Sequence, residues 1–285
     1  MRCLKTVLVT GANGFIGRHV VRALSKFDVN VVGVDISSEG FTQDIPFYEC
    51  DLFNGDVDLF SVIDCVPDVC LHLAWRNGFE HNSTSHIGDL SGHFLFLNRL
   101  VSGGVGQIAV MGTMHEIGYW EGAIDENTPC NPSSYYGIAK DALRRSFLLM
   151  AENFNIKAQW LRAFYIYGDD QKSQSIFGKL IRAAASGDKE FPFTTGKNQF
   201  DFIHVDDLSY QIAACVVQDD VLGIINCCSG RPESLAVRIE GFIRENDLEI
   251  SLKYGAYPDR PYDSPAIWGD SSKIDEILSK CTIGR

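Results

Sequence analysis

Short apolar runs alternate with amphipathic stretches from the start of the chain. Val7-Leu8-Val9 lies in a predicted strand over 5–10, and Ile16, Val20, Val21 and Leu24 then recur at helical spacing, predicting a helix over 15–27. The alternation continues with strands at 29–35, 47–50 and 69–74, a helix at 59–65, and a helix at 87–101 with apolar positions 90, 94, 97 and 101. A strand at 107–111 precedes a long helix at 135–154, whose stripe is Ala139, Leu143, Phe147, Met150 and Phe154; a strand at 158–163 follows. Strands separated by helices at this spacing imply a parallel sheet covered on both faces.

Beyond about residue 165 the pattern loosens. Helices are predicted at 176–186, 208–217 and 237–245, with extended segments at 201–205, 224–227 and 250–253. Pro258, Pro261 and Pro265 mark 257–265 as loop. The expected organisation is a sheet domain over 1–165, to which about 201–227 returns, and a smaller α/β substrate lobe from 166–200 and 228–285.

Between the first strand and the first helix lies Thr10-Gly-Ala-Asn-Gly-Phe-Ile-Gly17. Glycines at 11, 14 and 17 make a tight turn whose backbone amides, with the helix N-terminus, suit a pyrophosphate. In this strand–turn–helix context the turn points to a Rossmann-type, doubly wound dinucleotide fold. Gly11, Asn13, Gly14 and Gly17 are its candidate contacts. Asp35 ends the second strand, where a carboxylate accepts hydrogen bonds from both ribose hydroxyls and repels a 2′-phosphate, so NAD(H) is favoured over NADP(H). Ile36 adjoins it. Arg18 is the residual argument for NADP(H). Asp51-Leu52 follows the third strand, where an adenine contact and an ordinary turn read alike, and Trp75-Arg76 follows the fourth at a plausible contact position.

Tyr136 and Lys140 share one helix face at i and i+4. An ammonium there favours phenolate over phenol, so the expectation is a tyrosine acidified below its ordinary value of about 10 and fit for general acid/base work. Thr113 follows a strand at its carboxyl end, where sheet ligands bind, and its hydroxyl can hold a substrate oxygen against Tyr136. His115 and Glu116 stand close by, either touching a substrate or only turning the chain.

Composition narrows the partners. A formal charge of -12 with no basic stretch argues against nucleic acid. Nine cysteines without a C-x-x-C pair read as thiols in a reducing cytosol. No segment is apolar for long enough to span a bilayer, and no signal peptide is visible, so the expectation is a cytoplasmic protein without a membrane partner. His81, His86 and His93 lack acidic or thiol partners at metal spacing, and no metal is expected.

Taken in order, Thr10–Gly17, Asp35, Asp51-Leu52, His72-Leu-Ala74, Thr113, Tyr136-x-x-x-Lys140, Phe202-Ile-His-Val-Asp-Asp207 and the Arg260-Pro-Tyr-Asp-Ser-Pro265 tail resemble the extended short-chain dehydrogenases/reductases, which mostly act on nucleotide sugars. The resemblance covers nearly the whole chain. It implies a Thr113/Tyr136/Lys140 catalytic set, a cofactor lined by Phe15, Ile16, Leu73, Ala74 and Phe164, and Asp206 and Asp207 capping the helix that follows. It also implies a homodimer through the 87–101 and 135–154 helices.

This chain departs from the family at the substrate end. Asp89 stands where Asn is frequent, Tyr165 where Asn is usual, and Phe200 where an arginine often binds the substrate diphosphate. Arg260, Lys179 or Arg182 must then supply that charge. Met114-His115 replaces the Asp-Glu pair of sugar dehydratases, and no cysteine marks the fucose-pathway reductase-epimerases. The resemblance therefore implies a reductase of a nucleotide-activated 4-keto-6-deoxyhexose, of the deoxysugar or O-antigen type. The alternatives are a nucleotide-sugar 4-epimerase and a non-catalytic NAD(P)-sensing protein.

Overall fold

The computed structural model describes residues 4–55, 57–168, 174–259 and 263–281. The chain begins β1 (Lys5–Thr10), α1 (Phe15–Leu24), β2 (Val29–Asp35), β3 (Phe47–Glu49), α2 (Leu59–Ile63), β4 (Val69–His72), α3 (Ser85–Gly88), α4 (Leu90–Ser102) and β5 (Gln107–Thr113). A single 3₁₀ turn, Met114–Glu116, leads to β6 (Gly122–Ile124), α5 (Tyr135–Phe154), β7 (Lys157–Ala163), β8 (Tyr165–Tyr167), α6 (Ile176–Ala185), β9 (Glu190–Pro192) and β10 (Gln199–His204). The chain continues through α7 (Val205–Val217), β11 (Gly223–Cys227), β12 (Pro232–Ser234), α8 (Leu235–Glu245), β13 (Ser251–Lys253), β14 (Ala266–Gly269) and α9 (Ser272–Lys280).

Seven parallel strands form the large sheet in the order β11-β7-β5-β4-β1-β2-β3. Strand order reverses between β1 and β4, and the crevice beyond the carboxyl ends at that point is where such sheets bind ligands. The strands are apolar along their length because helices cover both faces. One face buries Val7, Val9, Leu71 and Leu161 against Val20, Leu24, Leu208 and Ile212 of α1 and α7. The other buries Leu8, Cys70, Ile108 and Trp160 with Phe96 and Leu100 of α4 and Leu143 and Phe147 of α5.

A second sheet, β12-β10-β14-β6 with β8 on β10, carries its own aromatic core of Phe164, Phe177, Phe193, Phe200, Phe202 and Phe242. Thus β10 pairs in the small sheet, whereas α7 and β11 pack with the large one.

Several expected elements shift. The single helix over 87–101 is two, α3 and α4, meeting at Asp89. Strand β5 runs on to Thr113, pairing with Ala163, so Thr113 ends the strand instead of following it. The long helix exposes Phe154 and buries Ala151 in its place. The cap of α7 is His204, whose ring accepts from the Asp206 amide. Asp206 and Asp207 occupy the first helical turn, where their charge suits the helix dipole. β14 and α9 follow the 257–265 segment expected as loop, of which 260–262 lie outside the described residues; the sequence pattern shows neither element.

Candidate active site

The glycine turn is packed too tightly for side chains. Gly11 has φ +68°, and a Cβ there would lie 2.7 Å from the Ala74 amide nitrogen. A Cβ at Gly17 would lie 2.0 Å from the Gly11 carbonyl oxygen. The turn is thereby locked between β1, β4 and α1 at the sheet's switch point. Helix α1 starts at Gly14 with no side-chain cap and no acidic residue in its first turn, so its leading amides keep their affinity for an anion. Asp35 closes the other side, its carboxylate accepting from the amides of Asn13 at 2.9 Å and Ile36 at 2.7 Å. A close-packed glycine turn, an uncapped helix and a strand-end carboxylate fit the diphosphate and ribose of a dinucleotide.

The remaining cofactor candidates divide. Leu73 and Ala74 follow β4 directly against this turn, with the Leu73 amide bonded to Thr10 and the Ala74 backbone abutting Gly11. Phe15 is half-buried, edge-on to His19. Ile16 packs against the core, and Ile36 is 77% exposed. The Asn13 amide holds the following loop, donating to the carbonyls of Ser37 and Glu39 and accepting from Arg18. Asp51 caps its own turn by accepting from the Phe53 amide, which is the ordinary turn reading. Leu52 and Phe164 are buried, each within a different hydrophobic core.

Thr113, Tyr136 and Lys140 come together at the end of β5. Ser134 caps α5 by accepting from the Gly137 amide, and the Tyr136 amide donates to His81, which sets the first turn against the 77–84 loop. Lys140 Nζ donates to the Met111 carbonyl at 2.8 Å. The Thr113 side chain engages the Tyr136 phenol and favours its phenolate, but burial outweighs this and pushes Tyr136 up to about 12. Burial likewise brings Lys140 down to about 7, opposed by the Glu116 carboxylate.

These directions correct the expected acidified tyrosine. Lys140 Nζ lies 6.0 Å from the Tyr136 ring centre and donates to the Met111 carbonyl, and burial outweighs what lowers the phenol. The i,i+4 spacing places both residues on one face without making the ammonium serve the phenol. Tyr136 is therefore a phenol near neutral pH.

Glu116 points away from the crevice. It is fully buried, accepts from the Thr113 amide and the Trp160 indole, and pairs with Arg144 at 3.0 Å and Arg162 at 3.3 Å. Its role is to fix the turn that follows Thr113.

His81 and His86, expected only as surface or core histidines, join the site candidate His115 around Tyr136. His81 stacks on the Tyr136 ring at 5.2 Å and 16°, with His86 at 5.2 Å and His115 at 6.1 Å. His115 is pushed down to about 3, chiefly by burial, and burial also lowers His81, so both face Tyr136 as neutral rings. The turn register after Thr113 was the one available signal for His115; the other two reach Tyr136 across more than 49 positions of chain. Tyr165 completes the wall, 6.3 Å from His115 and 4.3 Å from Phe200. Lys179 is exposed on α6 of the small lobe, and Arg260 lies outside the described residues. Among the described residues no group of three or more His, Cys, Asp or Glu is placed to hold a metal ion, and no helix is long and apolar enough to cross a membrane.

Comparison with known proteins agrees with this geometry. The model of the NAD dependent epimerase/dehydratase family matches residues 7–228. A dTDP-6-deoxy-L-talose 4-dehydrogenase (NAD(+)) of Aggregatibacter actinomycetemcomitans is 40% identical over 273 residues, covering 92% of this chain and 98% of its own. A UDP-glucose 4-epimerase of Neisseria meningitidis serogroup B is 25% identical, with 94% and 90% covered. Among solved structures, MoeE5 in complex with UDP-glucuronic acid and NAD superposes with a TM-score of 0.79 at 25% identity, covering 96% of this chain and 92% of that one. The chain belongs to the NAD dependent epimerase/dehydratase family, and it is an NAD-dependent enzyme of that class.

Proposed function

We propose that this enzyme transfers hydride between NAD(H) and C4 of a nucleotide-activated 6-deoxyhexose, reducing the 4-keto form or oxidising the 4-hydroxyl. The observation that carries the reading is the Thr113–Tyr136 pair at the end of β5, faced by the rings of His81 and His115, in a chain 40% identical to a dTDP-6-deoxy-L-talose 4-dehydrogenase.

When bound, NADH supplies the hydride. In the reducing direction the Tyr136 phenol donates a proton to the C4 oxygen, and the Thr113 hydroxyl donates a hydrogen bond to the same oxygen. Carbon gains hydride and oxygen gains the proton, so the ketone becomes an alcohol. A phenol held at about 12 favours this role over that of a resting base. Gly11, Gly14 and the first amides of α1 hold the diphosphate, and Asp35 accepts from the adenosine ribose. His81, His115 and Tyr165 form the sugar wall, with no cation among them to attract a C6 carboxylate.

The second reading, a 4-epimerase, is favoured by the UDP-glucose 4-epimerase relatives. The test is absorbance of the nicotinamide with a 4-keto-6-deoxy nucleotide sugar. Stoichiometric NADH consumption supports the C4 oxidoreductase; interconversion of UDP-glucose and UDP-galactose without net NADH change supports the epimerase.

Exposed Phe94 and Leu95 on α4 and Ile138 and Leu149 on α5 support pairing with a second copy of the chain through these helices. Light scattering tests this, with a monomer as the contrary result.

A further inference from the structure

The spacing of Tyr136 and Lys140 leaves open what the lysine rests against. In the folded protein Lys140 is 3% exposed, and its Nζ stands 3.7 Å from the centre of the Trp75 ring. A cation over an indole face gains most where water is excluded. Apart from this face, the Met111 carbonyl is the one hydrogen-bond acceptor recorded for Nζ among the described residues.

Trp75 is itself fixed. Its ring stacks on His93 at 4.2 Å and 11°, and its indole N–H donates to His86 Nδ1 at 3.1 Å. His86 Nε2 in turn meets the Glu80 carbonyl at 3.0 Å. A carbonyl only accepts, so Nε2 carries the proton and Nδ1 is left to accept from the indole. His93 is anchored through His72 at 2.9 Å to the hydroxyl of Thr10 at 2.8 Å, at the entry to the glycine turn. The next residue, Arg76, is held by Asp89 at 2.5 and 2.7 Å. The indole plane is thus set by β1, β4, α3 and α4 together.

We infer that Trp75 is a positioning residue for Lys140: its locked indole face holds the ammonium beside the Met111 carbonyl and so sets where the lysine stands relative to Tyr136. An aliphatic residue at 75 would leave the cation buried with one carbonyl. The charged and titratable groups facing Lys140 are Glu116 from the turn after β5, His72 from β4, His93 from α4 and Tyr136 from its own helix. Burial keeps the two histidines neutral, so Glu116 and the indole face are what favour the charged lysine.

The inference deepens the reading of Lys140 as part of the catalytic set, and its first test needs no turnover. Trp75 emission, taken as wild type minus Trp75→Phe, is followed across pH in the protein without added ligand. The expected result is a transition near pH 7, where Lys140 titrates, that is absent when the same difference is taken in a Lys140→Met background. A transition that persists unchanged in Lys140→Met, or no transition in wild type, overturns the inference.

The second test is the pH dependence of kcat for Trp75→Phe and Trp75→Leu. Leu is expected to move the lysine limb down by about half to one pH unit and Phe to restore most of it. Equal effects of Phe and Leu with an unmoved limb would reduce Trp75 to packing. If no substrate is turned over, the functional reading fails while the emission result still decides this one.

Discussion

The Nζ of Lys140 donates to the carbonyl oxygen of Met111 at 2.8 Å, which ties the second turn of α5 to the strand that ends in Thr113. Hydroxyl, phenol and ammonium are therefore set by one strand–helix contact, and a disturbance of either element moves all three.

Tyr136→Phe removes the proposed proton donor while keeping the ring that His81 stacks on. The expected outcome is a fall in kcat of about 100-fold or more with an unchanged melting profile. Thr113→Val is expected to cost activity and also about 1 kcal/mol of stability, because the Thr113 hydroxyl accepts from the His115 amide and caps the 3₁₀ turn. Steady-state kinetics and thermal melts on the two variants separate the roles.

Gly11→Ala places a Cβ against the Ala74 backbone at a positive φ. It is expected to destabilise by more than about 2 kcal/mol and to abolish NAD binding in titration calorimetry. Gly104→Ala is the control: its φ is +95° but nothing lies within 4 Å of the added carbon, so a loss of only about 1 kcal/mol is expected.

Asp35→Ala should raise KM for NAD by about tenfold and narrow the preference over NADP if, as proposed, the strand-end carboxylate accepts the ribose hydroxyls. Comparing kcat/KM for the two cofactors in wild type and variant checks it; an unaltered ratio would remove Asp35 from cofactor choice.

Glu116→Gln leaves Arg162, which is fully buried, without its carboxylate. Removing one partner of a buried ion pair costs about 3–5 kcal/mol, and urea unfolding should show a loss in that range. A loss below about 1 kcal/mol would mean that the cluster is not the anchor of the Thr113 turn.

Acid stability follows from the buried histidines. Burial holds His72 at about 3 and His93 lower still, against an ordinary 6.5. Over that interval the unfolded chain binds more protons than the folded one, so stability falls as pH falls. Their contribution is whole above about pH 6.5 and is lost toward about pH 3, at up to about 1.4 kcal/mol per histidine per pH unit. Lys140 acts with the same sign between 10.5 and about 7, a separate window. His93→Gln, which keeps an acceptor for His72, should flatten the decline in denaturant midpoint between about pH 6.5 and pH 4; an unchanged slope would count against a neutral buried His93.

What the sequence showed was local. The glycine turn, Asp35 and the Tyr136/Lys140 pair are each spelled out within a few residues, and strand–helix alternation follows from periodicity. What it hid joins distant positions. Lys140 meets Trp75 across 65 residues and His93 meets His72 across 21, and no spacing rule reports either contact. The direction of the Tyr136 shift was misread for the same reason, since burial and the capture of Lys140 by Met111 are tertiary facts. His204 caps α7, and the two aspartates that the resemblance implies as caps stand within its first turn.

The central claim is hydride transfer at C4, and isotope transfer tests it most directly. With NADH deuterated at the transferable position and a 4-keto-6-deoxy nucleotide sugar, the account predicts one deuterium at C4 of the product for each NADH oxidised, read by NMR. Product free of deuterium, or sugars interconverted with no NADH oxidised, would contradict it.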